Sequence, residues 1–135
     1  MHVTGLITEY NPFHNGHLFH IRRAREVAGA DFLIVLMSGS FVQRGAPAIF
    51  DKYSRARAAL LCGADVVAEM PVTFSTASAR EFASYGIALF TALGAVDSIC
   101  FGSECGEIGP LFQTARLLAQ EPEGFKEALG NALRQ

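Results

Sequence analysis

Two histidines three residues apart, His14 and His17, enclose Asn15 and Gly16. They close the stretch Tyr10-Asn11-Pro12-Phe13-His14-Asn15-Gly16-His17. The apolar run Val3 to Thr8 precedes it and reads as a buried strand. Leu18 to Ala28 follows as an amphipathic helix, with Leu18, Ile21 and Ala28 on one stripe. The imidazoles are therefore expected at a strand-to-helix turn. A helix N-terminus there offers unpaired N–H groups and a partial positive charge, which suit a phosphate. Gly16 would let a nucleotide lie close to the backbone. Asn15 is expected to cap the helix, and Pro12 to stiffen the turn. Ring N–H groups would donate to charge developing on an α-phosphate, which is electrostatic stabilisation rather than covalent catalysis.

Other chemistries fit fewer residues. His20 adds a third imidazole, but the sixth position along a helix has rotated away from the first, and no HExxH occurs. Zinc ligation is not expected. Neither GxxxxGK[ST] nor GxGxxG is present, which argues against a P-loop and a dinucleotide fold. A lone histidine would read as a cap or a packing residue; a pair flanking Asn-Gly at this turn reads as more.

Charges cluster after the next apolar run. Ser38-Gly39-Ser40 leaves a strand as a flexible turn, and Arg44 and Lys52 follow. Both are candidates for a carboxylate, pyrophosphate or RNA phosphate. A solvated surface lysine explains Lys52 equally well. Arg22, Arg23 and Arg25 read as a solvated helix face, with an RNA-contacting patch as the alternative. Gly102 closes a short strand, where a glycine either turns the chain or lets ribose or adenine lie on the backbone. Glu104 is a candidate magnesium or hydroxyl contact. Glu69 is expected at the same rim.

The elements that position these residues alternate. Strands are expected at Val3–Thr8, Phe32–Met37, Val66–Met70 and Ser98–Phe101. Helices are expected at 18–28, 52–62, 78–93, 108–120 and 125–133. In the second, Tyr53, Ala56 and Leu60 form the inward stripe; the third opens on the capping box Ser78-Ala79-Arg80-Glu81. Alternation of this kind implies an α/β fold, a Rossmann-like parallel sheet with helices on both faces. Ligands then bind beyond the carboxyl ends of the strands, where loops 9–17, 38–50, 71–77 and 102–107 gather. A nucleotide-binding domain over residues 1–120 and a helical tail over 121–135 are the expected divisions.

Composition bounds the class. The 135 residues are 50% hydrophobic and 18% charged, with a net charge of −2, so a core forms and bulk electrostatic wrapping of nucleic acid is disfavoured. Cys62, Cys100 and Cys105 form no CxxC and read as free thiols in a reducing cytoplasm. No apolar run approaches the roughly 20 residues of a membrane span. A cytoplasmic protein without a membrane partner is expected.

Three segments together carry a family resemblance. They are Glu9 to His17, Met37-Ser38-Gly39-Ser40-Phe41-Val42-Gln43-Arg44-Gly45-Ala46-Pro47-Ala48, and Phe101-Gly102-Ser103-Glu104. The first resembles the signature of the HIGH superfamily of nucleotidylyltransferases. All three closely resemble the bacterial tRNA(Met) cytidine acetate ligase family, from the first strand to about residue 107. The resemblance implies that ATP, carried with Mg²⁺, activates acetate as acetyl-adenylate. The acetyl group then passes to N4 of the wobble cytidine of elongator tRNA(Met). It implies an ATP site formed by Ile7, Thr8, Glu9, Tyr10, Asn11, Pro12, Phe13, His14, Asn15, Gly16, His17, Leu18, Phe19, His20 and Gly102. His14 and His17 would be catalytic. It also implies a fifth strand and a Ser/Thr-rich basic segment that residues 108–135 do not show. The chain is thus expected to match an N-terminal part of such a protein, lacking the C-terminal part of the fold. An adenylyl- or cytidylyltransferase acting on a small metabolite, and a non-catalytic nucleotide-binding fragment, are the alternative functions.

Overall fold

The computed structural model describes residues 1–134. Four parallel strands, β1 (Val3–Thr8), β2 (Phe32–Ser38), β3 (Val66–Met70) and β4 (Ser98–Ile99), form one sheet in the order β3-β2-β1-β4. β1 pairs with β2 from Val3↔Phe32 to Thr8↔Met37, and β2 with β3 from Ile34↔Val66 to Ser38↔Met70. Strand order reverses direction at β1, so the crevice beyond Thr8 is the switch point where such sheets hold ligands.

Helices cover both faces because alternate strand residues need burial on both. On one face, Leu6, Leu33, Val35 and Met37 pack against Ile21 and Ala24 of α1 (Asn15–Ala28) and Ala59 of α2 (Lys52–Leu61). On the other, Leu36 and Met70 join Phe82 and Phe90, both on the fourth helix. Between them lies α3 (Val72–Ser75); the fourth is α4 (Ala79–Leu93). Two glycines let α4 approach. A Cβ on Gly5 would meet the Phe90 ring at 2.7 Å, and one on Gly86 would collide with Ile7. α1 and α4 end on Gly29 (φ 60°) and Gly94 (φ 65°), a left-handed backbone that favours glycine. The Ser78–Glu81 capping box forms as the sequence implies.

Several expectations need correction. β4 keeps only Ser98 and Ile99 of the expected four residues; Cys100 still donates its N–H to Gly5 O, and the chain then departs. α3 follows Pro71 directly and was not expected; the Ser75 hydroxyl ties it to Phe41 O. A 3₁₀ turn, Gln43–Gly45, breaks the second loop. On α2, Tyr53 is 75% exposed and Leu60 45% exposed, so the expected stripe fails beyond the half-buried Ala56. The helix instead turns Arg55 and Ala59 inward, because Arg55 finds carbonyl partners there.

The chain divides into two compact units, Met1–Phe101 and Gly102–Gln135. The second unit carries α5 (Ile108–Gln120) and α6 (Glu123–Ala132). Neither helix has a buried residue.

Candidate functional site

Beyond the carboxyl end of β1 lies an open cleft of about 390 Å³. It is lined by Ile7, Thr8, Glu9, Tyr10, Asn11, Pro12, His14, His17 and His20. Its walls come from one continuous segment. Tyr10 takes a left-handed backbone (φ 49°), unusual for an aromatic residue, and the Asn11–Pro12 peptide is cis. The Tyr10 ring is 1% exposed and meets Phe13 edge-on at 4.8 Å and His17 at 4.9 Å. Aromatic packing therefore fixes the turn from which α1 departs.

The histidines cap that helix. Gly16 N–H donates to His14 Nδ1 at 3.1 Å, and His14 N–H donates to His17 Nδ1 at 3.2 Å. The N-cap is His14, in extended conformation, and not Asn15, which is already helical. This reciprocal capping box has imidazoles where serine and glutamate usually serve. It fixes the chemistry of both rings. A nitrogen that accepts an N–H carries no proton, so in each neutral ring the proton sits on Nε2. The rings stack at 3.8 Å and 26°. They are thus a pair of oriented Nε2–H donors at a helix N-terminus. Capping and ligand recognition use different nitrogens and are compatible.

Burial favours the neutral forms of His17 and His20. Desolvation, then the charges of His14 and His20, hold the His17 pKa below the ordinary imidazole value; burial lowers that of His20. Burial also pushes the Tyr10 phenol to about 12. The neighbouring Thr8 hydroxyl pulls slightly the other way, although the two oxygens miss hydrogen-bond geometry. Thr8 Oγ1, Tyr10 OH and His20 Nε2 are buried without a partner.

The second loop is tied to the first. Gln43 N–H donates to Glu9 Oε1 and Ile49 N–H to Asn11 Oδ1, each at 2.7 Å. The loop folds on itself through the bridge Phe41↔Pro47 and the bonds Val42 N–H to Ala46 O and Ala48 N–H to Ser40 O. Arg44 stands exposed on the 3₁₀ turn, with φ 66°.

Other expected residues are used differently. Lys52 Nζ lies 2.6 Å from Glu69 Oε2, which raises the lysine pKa and gives it a local partner. A Cβ on Gly39 would strike the Glu69 carboxylate, so that glycine makes room for the pair. Arg25 is not simply part of a solvated face. Its guanidinium clips Ala30 O, Asp31 O, Gly63 O and Asp65 Oδ2 at the opposite end of the sheet. Arg23 pairs with Glu26. Within α1, Asn15, Gly16 and Phe19 are exposed and Leu18 is half-buried. Phe13 packs on the core rather than the cleft. Gly102 and Glu104 are exposed in the second unit. Among the described residues no three His, Cys, Asp or Glu gather as a metal site, and no helix is long and apolar enough to cross a membrane.

Sequence reasoning missed Arg55. It is 2% exposed, and its guanidinium donates to Phe50 O (3.0 Å), Glu9 O (2.7 Å), Ser38 O (3.0 Å) and Gly39 O.

The HIGH Nucleotidyl Transferase family model matches residues 1–135. The tRNA(Met) cytidine acetate ligase of Syntrophotalea carbinolica is 53% identical over 135 residues, all of this chain and 32% of that protein. That of Acetivibrio thermocellus is 49% identical over 133 residues, 98% of this chain and 32% of that protein. A crystal structure of Thermotoga maritima TmcAL bound with alpha-thio ATP superposes with a TM-score of 0.90 at 46% identity, covering 99% of this chain and 32% of that one. The chain therefore spans about a third of the length of the relatives it matches.

Proposed function

The chain belongs to the HIGH nucleotidyl transferase family, and on that premise we propose that its cleft binds ATP for the activation of acetate in a tRNA(Met) cytidine acetate ligase. The observation that carries this reading is the stacked pair of Nε2–H donors held by the capping box at the lip of the cleft. Donors fixed before the substrate arrives stabilise charge on a phosphate without reorganising. Ligases of this name among the relatives, and the ATP analogue in the Thermotoga maritima neighbour, support the assignment.

In the proposed reaction an acetate oxygen attacks the α-phosphorus of ATP. The bond from that phosphorus to the bridging oxygen breaks and pyrophosphate leaves with its electron pair. His14 and His17 donate to the non-bridging oxygens as negative charge builds. The N4 amine of the wobble cytidine of elongator tRNA(Met) then attacks the acetyl carbon, and AMP and a proton leave. Arg44, exposed on its 3₁₀ turn, is the candidate RNA contact on this chain. Glu9 is the one carboxylate lining the cleft, and one of its oxygens already accepts from Gln43. The cleft therefore fits Mg²⁺ carried on the triphosphate's own oxygens, where it would neutralise charge, rather than a protein-held ion.

Two measurements test the reading. Calorimetry with a non-hydrolysable ATP analogue should show binding to this chain. Acetate-dependent exchange of pyrophosphate into ATP should be found with the longer protein of this family. Exchange that ignores acetate would favour a transferase acting on another small metabolite. Binding to the chain without exchange in either protein would make the cleft a non-catalytic nucleotide module.

A further inference from the structure

The ladder between β1 and β2 ends at Thr8↔Met37, and past that pair each strand passes into its loop, the β1 loop lining the cleft. Something must set the distance between the two loops. Arg55 bridges them. Its Nη1 donates to Glu9 O, one residue beyond β1, and to Ser38 O, the last residue of β2. Its Nη2 reaches Gly39 O, and its Nε reaches Phe50 O just before α2. One planar group thus fixes four carbonyls on three chain segments. Two of those segments are the loops already joined above by Glu9 to Gln43 and by Asn11 to Ile49.

Arg25 offers an internal comparison. It clips carbonyls at the opposite end of the sheet, but it stays 37% exposed and pairs with Asp65 at 2.6 Å. Arg55 is 2% exposed and pairs with no carboxylate among the described residues. Burying this charge costs more than the nearby Asp51, Glu9 and Glu69 carboxylates return, and an apolar side chain would fill the same space more cheaply. What the guanidinium adds is geometry, since its fork holds several acceptors at fixed spacing.

We infer that Arg55 is a positioning residue of the nucleotide cleft, setting the separation of the β1 and β2 loop ends so that the 9–17 segment presents its donors in register. The inference rests on the proposed ATP reading of that cleft.

Two variants test it. Arg55→Lys keeps a charge but offers one nitrogen, which cannot span four carbonyls. Arg55→Met keeps the length and offers no donor. Leu33→Ala is the control: it is buried at the far end of β2 and removes stability without touching the cleft. Melting temperature and affinity for a non-hydrolysable ATP analogue are measured for all four proteins, well below their melting points. We expect both Arg55 variants to lose roughly 10- to 100-fold in affinity, since misplaced groups lose binding steeply. The control, although destabilised, should bind within about twofold of the parent. Hydrogen exchange at the Gln43 and Ile49 amides should quicken in the Arg55 variants alone. Affinity in Arg55→Lys equal to the control would overturn the inference, as would unchanged exchange. A failure of both variants to fold would make Arg55 a purely structural residue and also overturn it. A parent chain that does not bind the analogue defeats the ATP reading itself, a separate and recognisable outcome.

Discussion

Replacing His14 by asparagine and by alanine separates the two jobs of one ring. His14 Nδ1 accepts the Gly16 N–H at 3.1 Å, which is a capping role. Its Nε2–H is the donor assigned to the phosphate. Asparagine is among the best N-caps, and its side-chain oxygen can accept the same N–H; it does not place a donor where Nε2 lies. Alanine removes both functions. Losing a cap costs about 1 kcal/mol, which for a chain of this size lowers Tm by roughly 4 °C. Losing a hydrogen bond to a charged group costs about 1.5–3 kcal/mol, or roughly 10- to 150-fold in affinity. The expected pattern is therefore asymmetric. His14→Ala loses both a few degrees of Tm and the affinity. His14→Asn keeps its Tm and loses the same affinity. Scanning calorimetry and titration with an ATP analogue read the two quantities on the same samples. Parental binding by His14→Asn would show that Nε2 donates to nothing that matters, and the phosphate assignment would fall with it.

Further outcomes follow from other parts of the site. On the proposed reading, His17→Ala in a longer protein of this family should lower acetate-dependent exchange by on the order of 100- to 1000-fold, as losing an oriented donor does elsewhere; a loss no larger than its loss of stability predicts would make the ring structural. The His17 and His20 pKa values lie below the free imidazole value of about 6.5 in the folded chain, so the unfolded chain binds more protons as pH falls. Stability is then complete above about pH 6.5 and declines below it, and Tm against pH for His20→Gln should decline less steeply than for the parent. Gly5→Ala would drive a methyl group into the Phe90 ring; overpacking of about 1–3 kcal/mol exceeds the gain from lost glycine entropy, and urea unfolding should show a net loss that Phe90→Leu partly restores. Lys52→Met removes a partly exposed ion pair and should change stability by less than about 1 kcal/mol in the same assay.

Most of the framework was legible because local signals and tertiary demand agreed. Phe32 to Met37 is apolar throughout and becomes the central strand β2. Gly29 and Gly94 end helices in the conformation their type allows. The signature from Ile7 to His20 was recognisable as a unit, and nine of its residues line one cleft. Pairings that bring distant positions together were not legible. Nothing in the spacing of Glu9 and Gln43, or of Asn11 and Ile49, announces a side chain capping a remote loop. Arg55 was hidden for a related reason: a charged residue on a short helix reads as solvated until the carbonyls it serves are seen. The role of His14 as N-cap was obscured because serine, threonine, aspartate and asparagine lead that position, and Asn15 stood beside it.

Two positions of the signature, Glu9 and Asn11, each have one side-chain oxygen occupied by the 40s loop. A chimaera that imports residues 39–51 from a relative must therefore import compatible residues at 9 and 11 as well. Any engineering that treats the two loops as independent cassettes would leave a carboxylate and an amide stranded at the cleft. Libraries aimed at this cleft should vary them as one linked block.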